Sequence, residues 1–241
     1  MTDDAARAIE VGRTLAAEHA VELSAPSPAG AAPASHRLVA FAEAEREPGG
    51  WSLRSALVRY AQAEPVRASA VLEQVRRVDG ALAAVRTRLE RETVGTDPAL
   101  GPASFDEAGR RRGSHPSPGW PDARLADLAR LVHRWPEGAA GVLEGYGSVC
   151  PLREGDAEAV AVLAVAVELD ELGDELAAWA VRGQPPMPNE VVDRRVRAAF
   201  DELERLGVAR ESGDVEEWRR AARARGAGGR GKGTRTPPRG T

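Results

Sequence analysis

The sequence predicts an all-α protein, an irregular bundle of about seven to nine helices joined by long loops rich in proline and glycine. Apolar residues recur at steps of three and four over most of the chain, which is the spacing of one buried helix face. The 25 glycines and 17 prolines cluster between these segments, where they interrupt helices. No segment shows convincing apolar–polar alternation bounded by hairpin turns. Because aromatic residues make up only 4% of the chain, we expect a core of small side chains and closely packed helices.

The first part of the chain predicts an N-terminal helix, a linker and a helical subdomain. Residues 1–23 carry alanine, isoleucine and leucine at helical spacing, and residues 24–35, rich in Ser, Pro and Gly, form a flexible linker. Residues 36–94 form the subdomain. Its three helices are expected at 36–47, 51–64 and 66–94. The last of them is the most regular, with an apolar stripe of Leu72, Val75, Leu82, Val85 and Leu89.

The second part predicts a loop, a second helical domain and a tail. Residues 95–118 form an irregular loop, with a short strand near Ser104–Glu107. Residues 119–225 form the helical domain. Its helices are expected at 123–133, 137–146, 156–181, 188–206 and 213–225. Residues 226–241 hold glycine, proline, threonine and basic residues, so we expect a disordered basic tail that joins no core.

A three-residue pattern, Trp-Pro-acid, occurs twice, as Trp120-Pro121-Asp122 and as Trp135-Pro136-Glu137. Proline suits the first turn of a helix because an N–H at that position would have no helical partner. An acid in that turn meets the positive end of the helix dipole, and a large apolar residue ahead of it can pack back onto the turn. The pattern therefore predicts two helix starts. The alternative is a pair of tryptophans that line a binding site.

Charge is unevenly distributed along the chain, whose net charge is −4. The segment Arg219–Thr241 holds eight basic residues and no acidic one, so the body that precedes it is acidic. Every basic residue is arginine except Lys232, so the body has no lysine for a Schiff base or for anchoring phosphate. A flexible Arg-Gly tail can follow the phosphates of a nucleic acid without reading its sequence. The acidic body opposes that binding by repelling a polyanion.

The location expected from the sequence is the cytoplasm. A single cysteine excludes an internal disulfide and suits a reducing compartment. The N-terminus has no apolar signal segment, and no run of about eighteen apolar residues could cross a membrane. We therefore expect no membrane attachment.

The segment Gly226–Thr234 resembles a phosphate-binding loop, but its match is incomplete. That motif needs a Ser or Thr directly after Gly-Lys, followed by a helix. Here Gly233 stands at the hydroxyl position, and Pro237-Pro238 follow where the helix should begin. A disordered basic tail is the favoured interpretation.

Cys150 is a candidate nucleophile that would need a neighbouring base to form its thiolate. His115 and His133 are the candidate bases, and nothing in the sequence places either of them nearby. We therefore expect a buried structural thiol. Four histidines and one cysteine also lack the spacing of a recognisable zinc site. The sequence assigns no catalytic residue, no metal ligand and no cofactor.

Four carboxylates fall on adjoining turns of the helix expected at 156–181; they are Glu168, Glu171, Asp174 and Glu175. The stretch ELGDELAAW resembles the second metal-binding helix of all-α nucleotide pyrophosphohydrolases, which implies a magnesium site. That family also needs an earlier glutamate-rich helix, whereas the nearest candidates here, Glu154 and Glu158, begin the same helix. One helix cannot surround a metal from two sides. A solvated helix face is the favoured interpretation.

A longer resemblance covers about Ser104–Ala180. The motifs Asp127-Leu128-Ala129, Gly145-Tyr146 and Pro151-Leu152 resemble the C-terminal helical lobe of aminoglycoside phosphotransferase-like (choline-kinase-like) proteins. The resemblance implies a strand with a metal-binding Asp, and then a helix that contains Asp-Leu-Ala. It further implies a Gly-Tyr helix end and a Pro-Leu before another long helix.

The catalytic residues of that family do not carry over. Ser104 stands at the position of the metal-binding Asp, directly before Phe105. The upstream His-x-Asp loop and its asparagine have no counterpart, since the one asparagine of the chain is Asn189. The body also lacks the lysine that would anchor ATP. Because phosphoryl transfer depends on positioning and charge neutralisation, we expect no phosphotransfer.

The function expected from the sequence is non-catalytic binding of a protein partner through the helical surface. One alternative is a degenerate aminoglycoside phosphotransferase-like protein without phosphotransfer activity. Another is an all-α magnesium-dependent nucleotide pyrophosphohydrolase-like enzyme. The basic tail offers a second and weaker surface, for nucleic acid.

Overall fold

The computed structural model describes residues 3–24, 37–45, 50–113, 120–182 and 189–208. In these residues the fold is all-α, as predicted, with a single two-stranded antiparallel sheet. The helices are α1 (Asp3–Ser24), α2 (Leu53–Ala63), α3 (Pro65–Leu82), α4 (Arg86–Leu89), α5 (Arg124–Arg134), α6 (Ala139–Val149), α7 (Asp156–Arg182) and α8 (Asn189–Arg205). The strands are β1 (Thr93–Thr96) and β2 (Trp120–Ala123).

Several sequence predictions lie outside the described residues. They concern the linker beyond Ser24, the helix expected at 213–225, the phosphate-loop-like segment Gly226–Thr234 and the basic tail at 226–241. The predicted helices at 1–23, 51–64, 123–133, 156–181 and 188–206 are confirmed as α1, α2, α5, α7 and α8.

The helix α7 lies at the centre of the packing and contacts α2, α3, α5 and α8. Its buried residues are almost all valine, leucine and alanine, so neighbouring helices approach on several sides of it. One apolar core joins residues from α1 to α8. The described residues of the regions 36–94 and 119–225 therefore share this core.

The pair α1 and α6 packs with direct backbone contact. A methyl group built on Gly12 would lie 2.2 Å from the carbonyl oxygen of Val142, and one on Gly145 would lie 2.0 Å from that of Ile9. Both distances are far below van der Waals contact, so only glycine allows this crossing. The N-terminal helix is thereby fixed against the second half of the chain.

The helix predicted at 66–94 is wrong in its second half. The helix α3 ends at Leu82, where Ala83 N–H donates to the carbonyl oxygen of Gly80 in a tighter turn. The short α4 follows, and then the chain enters β1 instead of continuing as a helix. Threonine and valine favour strand geometry, and β1 gains hydrogen bonds from β2, which sequence periodicity does not reveal.

The first Trp-Pro-acid pattern does not start a helix. Trp120 and Pro121 lie in β2, which pairs with β1, and α5 begins only after Ala123. The carboxylate of Asp122 instead accepts the amide N–H groups of Leu38 and Ala123. The side chains of Trp120 and Pro121 are outside the described part of the structure, so the staple expected at Trp120 stays a prediction.

The second pattern does start a helix. Pro136 opens a short 3-10 helix, Pro136–Gly138, that leads into α6. The buried ring of Trp135 packs back on this turn, because a methyl group on Gly138 would lie 2.5 Å from it. The helix expected at 137–146 therefore exists, with α6 running on to Val149.

Two smaller predictions need correction. The described residues of the helix expected at 36–47 form successive turns rather than an α-helix. In these turns the N–H of Leu38 donates to the carboxylate of Asp122. The strand expected near Ser104–Glu107 is reduced to one isolated bridge between Phe105 and Arg111.

Candidate functional site

A cleft opens between α5, α7 and α8, and its volume is about 450 Å³. Its apolar lining consists of Val132, Pro136, Ala139, Ala164, Val165, Ala198 and Ala199. Its polar lining consists of His133, Glu168, Glu202 and Arg205. Four of the apolar residues are alanine, one of them at the start of α6, so the helices meet here without filling the space between them. We call this feature the α5–α7–α8 cleft.

One end of the cleft brings together an imidazole and two carboxylates. His133 projects from α5, and Glu168 and Glu171 are three residues apart on α7, where an i,i+3 spacing puts them on one face. His133 Nε2 lies 3.3 Å from Oε2 of Glu168 and 3.9 Å from Oε2 of Glu171. One donor atom from each residue falls within 4.8 Å of the others. These three side chains are therefore close enough to share a cation.

Two arginines hold the other oxygens of these carboxylates. Arg134 Nη2 donates to Oε1 of Glu171 at 2.8 Å, and Arg195 Nη1 donates to Oε1 of Glu168 at 3.0 Å. Arg195 Nη1 also lies 3.6 Å from Oε2 of Glu171, and its Nη2 donates to Glu175 at 2.7 Å. The arginines thus orient the two carboxylates so that the Oε2 atoms of Glu168 and Glu171 both face the imidazole of His133.

The charge state of Glu171 follows from these contacts. Burial alone would raise the pKa of Glu171. The hydrogen bond and charge of Arg134 act against burial, together with the charges of His133 and Arg195, and they bring the pKa below its ordinary value of 4.5. Glu171 is therefore an anion at neutral pH.

The carboxylates of α7 are bound by arginines, which the solvated-face interpretation did not anticipate. Besides Glu168, Glu171 and Glu175, the exposed Asp174 accepts two hydrogen bonds from Arg37 at 3.0 Å. The sequence could not place these arginines, because they lie on α5, α8 and the turns near Arg37. Glu158 is exposed in the first turn of α7, as the sequence indicated, whereas Glu154 is exposed in the turn just before that helix.

A second polar cluster is buried in the core and shares no residue with the lining of the cleft. His19 Nδ1 lies 2.9 Å from the hydroxyl of Tyr146, and its Nε2 lies 3.4 Å from Oδ2 of Asp127. Arg130 joins Asp127 and Asp122, at 3.1 and 3.2 Å. This chain of contacts connects α1, β2, α5 and α6.

Burial raises the pKa of two members of this cluster. Burial raises the pKa of Tyr146 to about 12, against the opposing hydrogen bond and charge of Arg124. Burial also raises the pKa of Asp122, against the charge of Arg130 and the amides of Leu38 and Ala123. Because buried polar groups must be hydrogen-bonded, these contacts serve the fold. Sequence reasoning missed them, although Arg124, Asp127 and Arg130 recur at steps of three in α5.

The helix α5 begins at a further buried ion pair. Arg124 donates to Asp156 at 2.9 Å and to Glu92 at 2.6 Å. Asp156 also accepts the N–H of Arg153 at 2.9 Å and lies 2.7 Å from Arg88 Nη2. The first turn of α7 is in this way tied to α4 and α5.

Cys150 and its candidate bases are not brought together. The half-buried thiol donates to the carbonyl oxygen of Ala16 at 3.4 Å, which attaches the end of α6 to α1. His133 lies with Glu168 and Glu171 instead, and His115 is outside the described residues. The thiol is thus half-buried rather than buried as expected, and its contact joins two helices.

The motifs behind the phosphotransferase-like resemblance fall on defined elements. Ser104 ends a short 3-10 helix, Pro102–Ser104. Asp127-Leu128-Ala129 lies within α5, and β2 directly precedes that helix. Gly145-Tyr146 lies inside α6 rather than at a helix end, because α6 runs on to Val149. Pro151-Leu152 precedes α7 as the resemblance implied.

Comparisons of the chain with protein-family models, with curated proteins and with solved structures find no match. In the described part of the chain, no helix combines the length and apolar character needed to cross a membrane.

Proposed function

We propose that this chain is a non-catalytic binding protein whose α5–α7–α8 cleft receives an apolar helical segment of a protein partner. The observation that supports this proposal is the apolar cleft, which is bordered by charges of both signs from Glu168, Glu202 and Arg205. Protein interfaces combine an apolar centre with a polar rim. An amphipathic helix commonly binds by placing apolar anchors in a groove.

The alanines of the cleft support a macromolecular occupant. Ala198 is exposed on α8 and Ala164 is half-buried on α7. Short side chains on both walls let the large side chains of a partner enter between the helices. Burial of such an anchor stabilises a complex by about 25 cal/mol for each Å² of apolar surface removed from water.

The chemistry of the lining supports binding rather than covalent catalysis. Among the described lining residues, none is a serine, threonine, cysteine or lysine. These are common nucleophiles of covalent catalysis, as are carboxylates and imidazole. In the lining, Glu168 and Glu202 are ion-paired with arginines, and His133 contacts Glu168. The cytoplasmic location that we propose rests on the single cysteine of the chain and the reducing conditions of that compartment.

Site-specific photo-cross-linking tests the proposal. A photoreactive phenylalanine analogue at position 198 would lie in the cleft, and one at the exposed Val58 of α2 serves as the matched control. In cells of the source organism, we expect a discrete cross-linked protein at position 198 that position 58 does not capture. The same captured proteins at both positions, no capture at position 198, or a cross-link to residues 209–241 of the chain itself would each contradict the proposal.

A second candidate is a degenerate phosphotransferase-like lobe without phosphotransfer activity. The order of a strand, the Asp-Leu-Ala helix α5 and the long α7 after Pro151-Leu152 favours it. The test is transfer of phosphate from ATP to hydroxyl acceptors in magnesium, for which we expect no turnover. Turnover that survives Lys232→Ala would contradict this candidate.

A further inference from the structure

We propose that His133, Glu168 and Glu171 form a binding site for a zinc ion at the end of the α5–α7–α8 cleft. The three side chains come from two different helices, α5 and α7. They therefore approach a common point from two directions, which the carboxylates of α7 alone could not do. Their donor atoms lie within 4.8 Å of one another.

The donor set favours zinc over magnesium. Zinc takes imidazole nitrogen and carboxylate oxygen at about 2.0–2.2 Å. Magnesium prefers six oxygen ligands and keeps several of its waters. A set of one imidazole and two carboxylates provides three ligands, and a fourth position remains for water or for a ligand from the cleft.

The surrounding arginines orient these ligands. Arg134 and Arg195 bind the Oε1 atoms of Glu171 and Glu168, and both Oε2 atoms are left near His133 Nε2. Hydrogen-bonded partners behind the metal ligands are a regular feature of metal sites. Arg195 Nη1 lies 3.6 Å from Oε2 of Glu171, and this distance has to increase when the ion binds.

The charge balance permits a dication. Three carboxylates, from Glu168, Glu171 and Glu175, face two guanidinium groups, from Arg134 and Arg195. These carboxylates therefore outnumber the two guanidinium groups by one negative charge. His133 and Glu168 also line the cleft, so the ion can reach the site from solvent.

Calorimetric titration of the full chain with zinc chloride tests the site. We expect one zinc ion per chain. Each of His133→Gln, Glu168→Gln and Glu171→Gln should weaken zinc binding by about tenfold or more. The matched control is Glu158→Gln, an exposed carboxylate at the beginning of the same helix, and it should leave affinity unchanged. Circular dichroism in EDTA verifies that each variant is folded.

Cobalt substitution provides a readout that folding alone does not produce. Cobalt bound to the wild-type chain should show visible absorption of a low-symmetry site with nitrogen and oxygen ligands, and His133→Gln should change it. Absence of stoichiometric zinc binding by the wild type would overturn the proposal, and so would unchanged affinity in all three variants. Magnesium binding of equal affinity at these residues would also overturn it, in favour of a magnesium site.

Discussion

At the scale of single residues, the most consequential side chain is Asp156. It is fully buried at the first turn of α7, where it contacts Arg124, Arg88 and the N–H of Arg153. Removal of one member of a buried ion pair leaves the other charge without compensation and costs about 3–5 kcal/mol. We therefore expect Asp156→Ala to lower the free energy of unfolding by about that amount, as measured by urea denaturation.

The matched control for Asp156 is Glu158→Ala, because Glu158 lies in the same helical turn and is exposed. Exposed substitutions of this kind change stability by about 0.5 kcal/mol or less. Equal effects of the two substitutions would show that the ion pair does not stabilise the fold.

Glu171 gives a prediction about pH. Its pKa is below the ordinary value of 4.5 in the folded chain, where burial is outweighed by Arg134, His133 and Arg195. A lowered acid pKa stabilises the folded state above the unfolded-state pKa, and this stabilisation is lost as pH falls. In EDTA, the excess unfolding free energy of wild type over Glu171→Gln should shrink as pH falls below 4.5.

Arg134→Gln provides the control for that measurement, since Arg134 supplies the hydrogen bond and the main charge that lower the pKa of Glu171. In the Arg134→Gln background, Glu171→Gln should produce a smaller change with pH. A difference that grows as pH falls would have the wrong sign for a lowered pKa.

The sequence revealed candidate residues but not their partners. Glu168 and Glu171 were visible as neighbours on one helix, and their spacing of three residues places them correctly. Their contacts with His133, Arg134 and Arg195 depend on how α5 and α8 pack against α7, and no local spacing contains that information. For the same reason, the buried contacts of His19 with Tyr146 and Asp127 were not predicted.

At the scale of elements, the crossing of α1 and α6 depends on glycine. A methyl group on Gly145 would lie 2.0 Å from the carbonyl oxygen of Ile9, whereas one on Gly147 would lie 3.8 Å from the side chain of Leu152. Overpacking a core typically costs about 1–3 kcal/mol. We therefore expect Gly145→Ala to destabilise the protein by at least about that much, in thermal or urea unfolding.

Gly147→Ala is the control on the same helix. It has room for the methyl group, and alanine is better than glycine in a helix by about 0.8–1.0 kcal/mol. This variant should be neutral or slightly stabilised. Equal stability of the two variants would mean that α1 and α6 do not approach as closely as described.

Three long helices were predicted well and the two short strands were not, for a physical reason. The helices α1, α7 and α8 repeat their apolar spacing over several turns, so periodicity identifies them. The strands β1 and β2 have four residues each, which is too short for alternation to be recognised. Pro121 was interpreted as the start of a helix, but a two-stranded sheet has only edge strands, and edges tolerate proline.

At the scale of the whole molecule, the fold class was predictable and the cleft was not. Composition and periodicity specify helices with small core residues. The cleft arises where Val132 of α5, Ala164 of α7 and Ala198 of α8 approach without filling the space between them. That arrangement depends on the positions of three helices at once. The sequence alone therefore does not predict the cleft or the function that we propose for it.

The measurement that tests this account most directly is the affinity of the cross-linked partner for a chain whose cleft is filled. Ala198 is exposed in the cleft, so Ala198→Trp should occupy the space without changing the melting temperature. We expect it to weaken partner binding by about thirtyfold, the equivalent of about 2 kcal/mol. Val58→Trp, at an exposed position of α2, should leave the dissociation constant unchanged. An unchanged dissociation constant for Ala198→Trp would contradict the assignment of the cleft as the binding site.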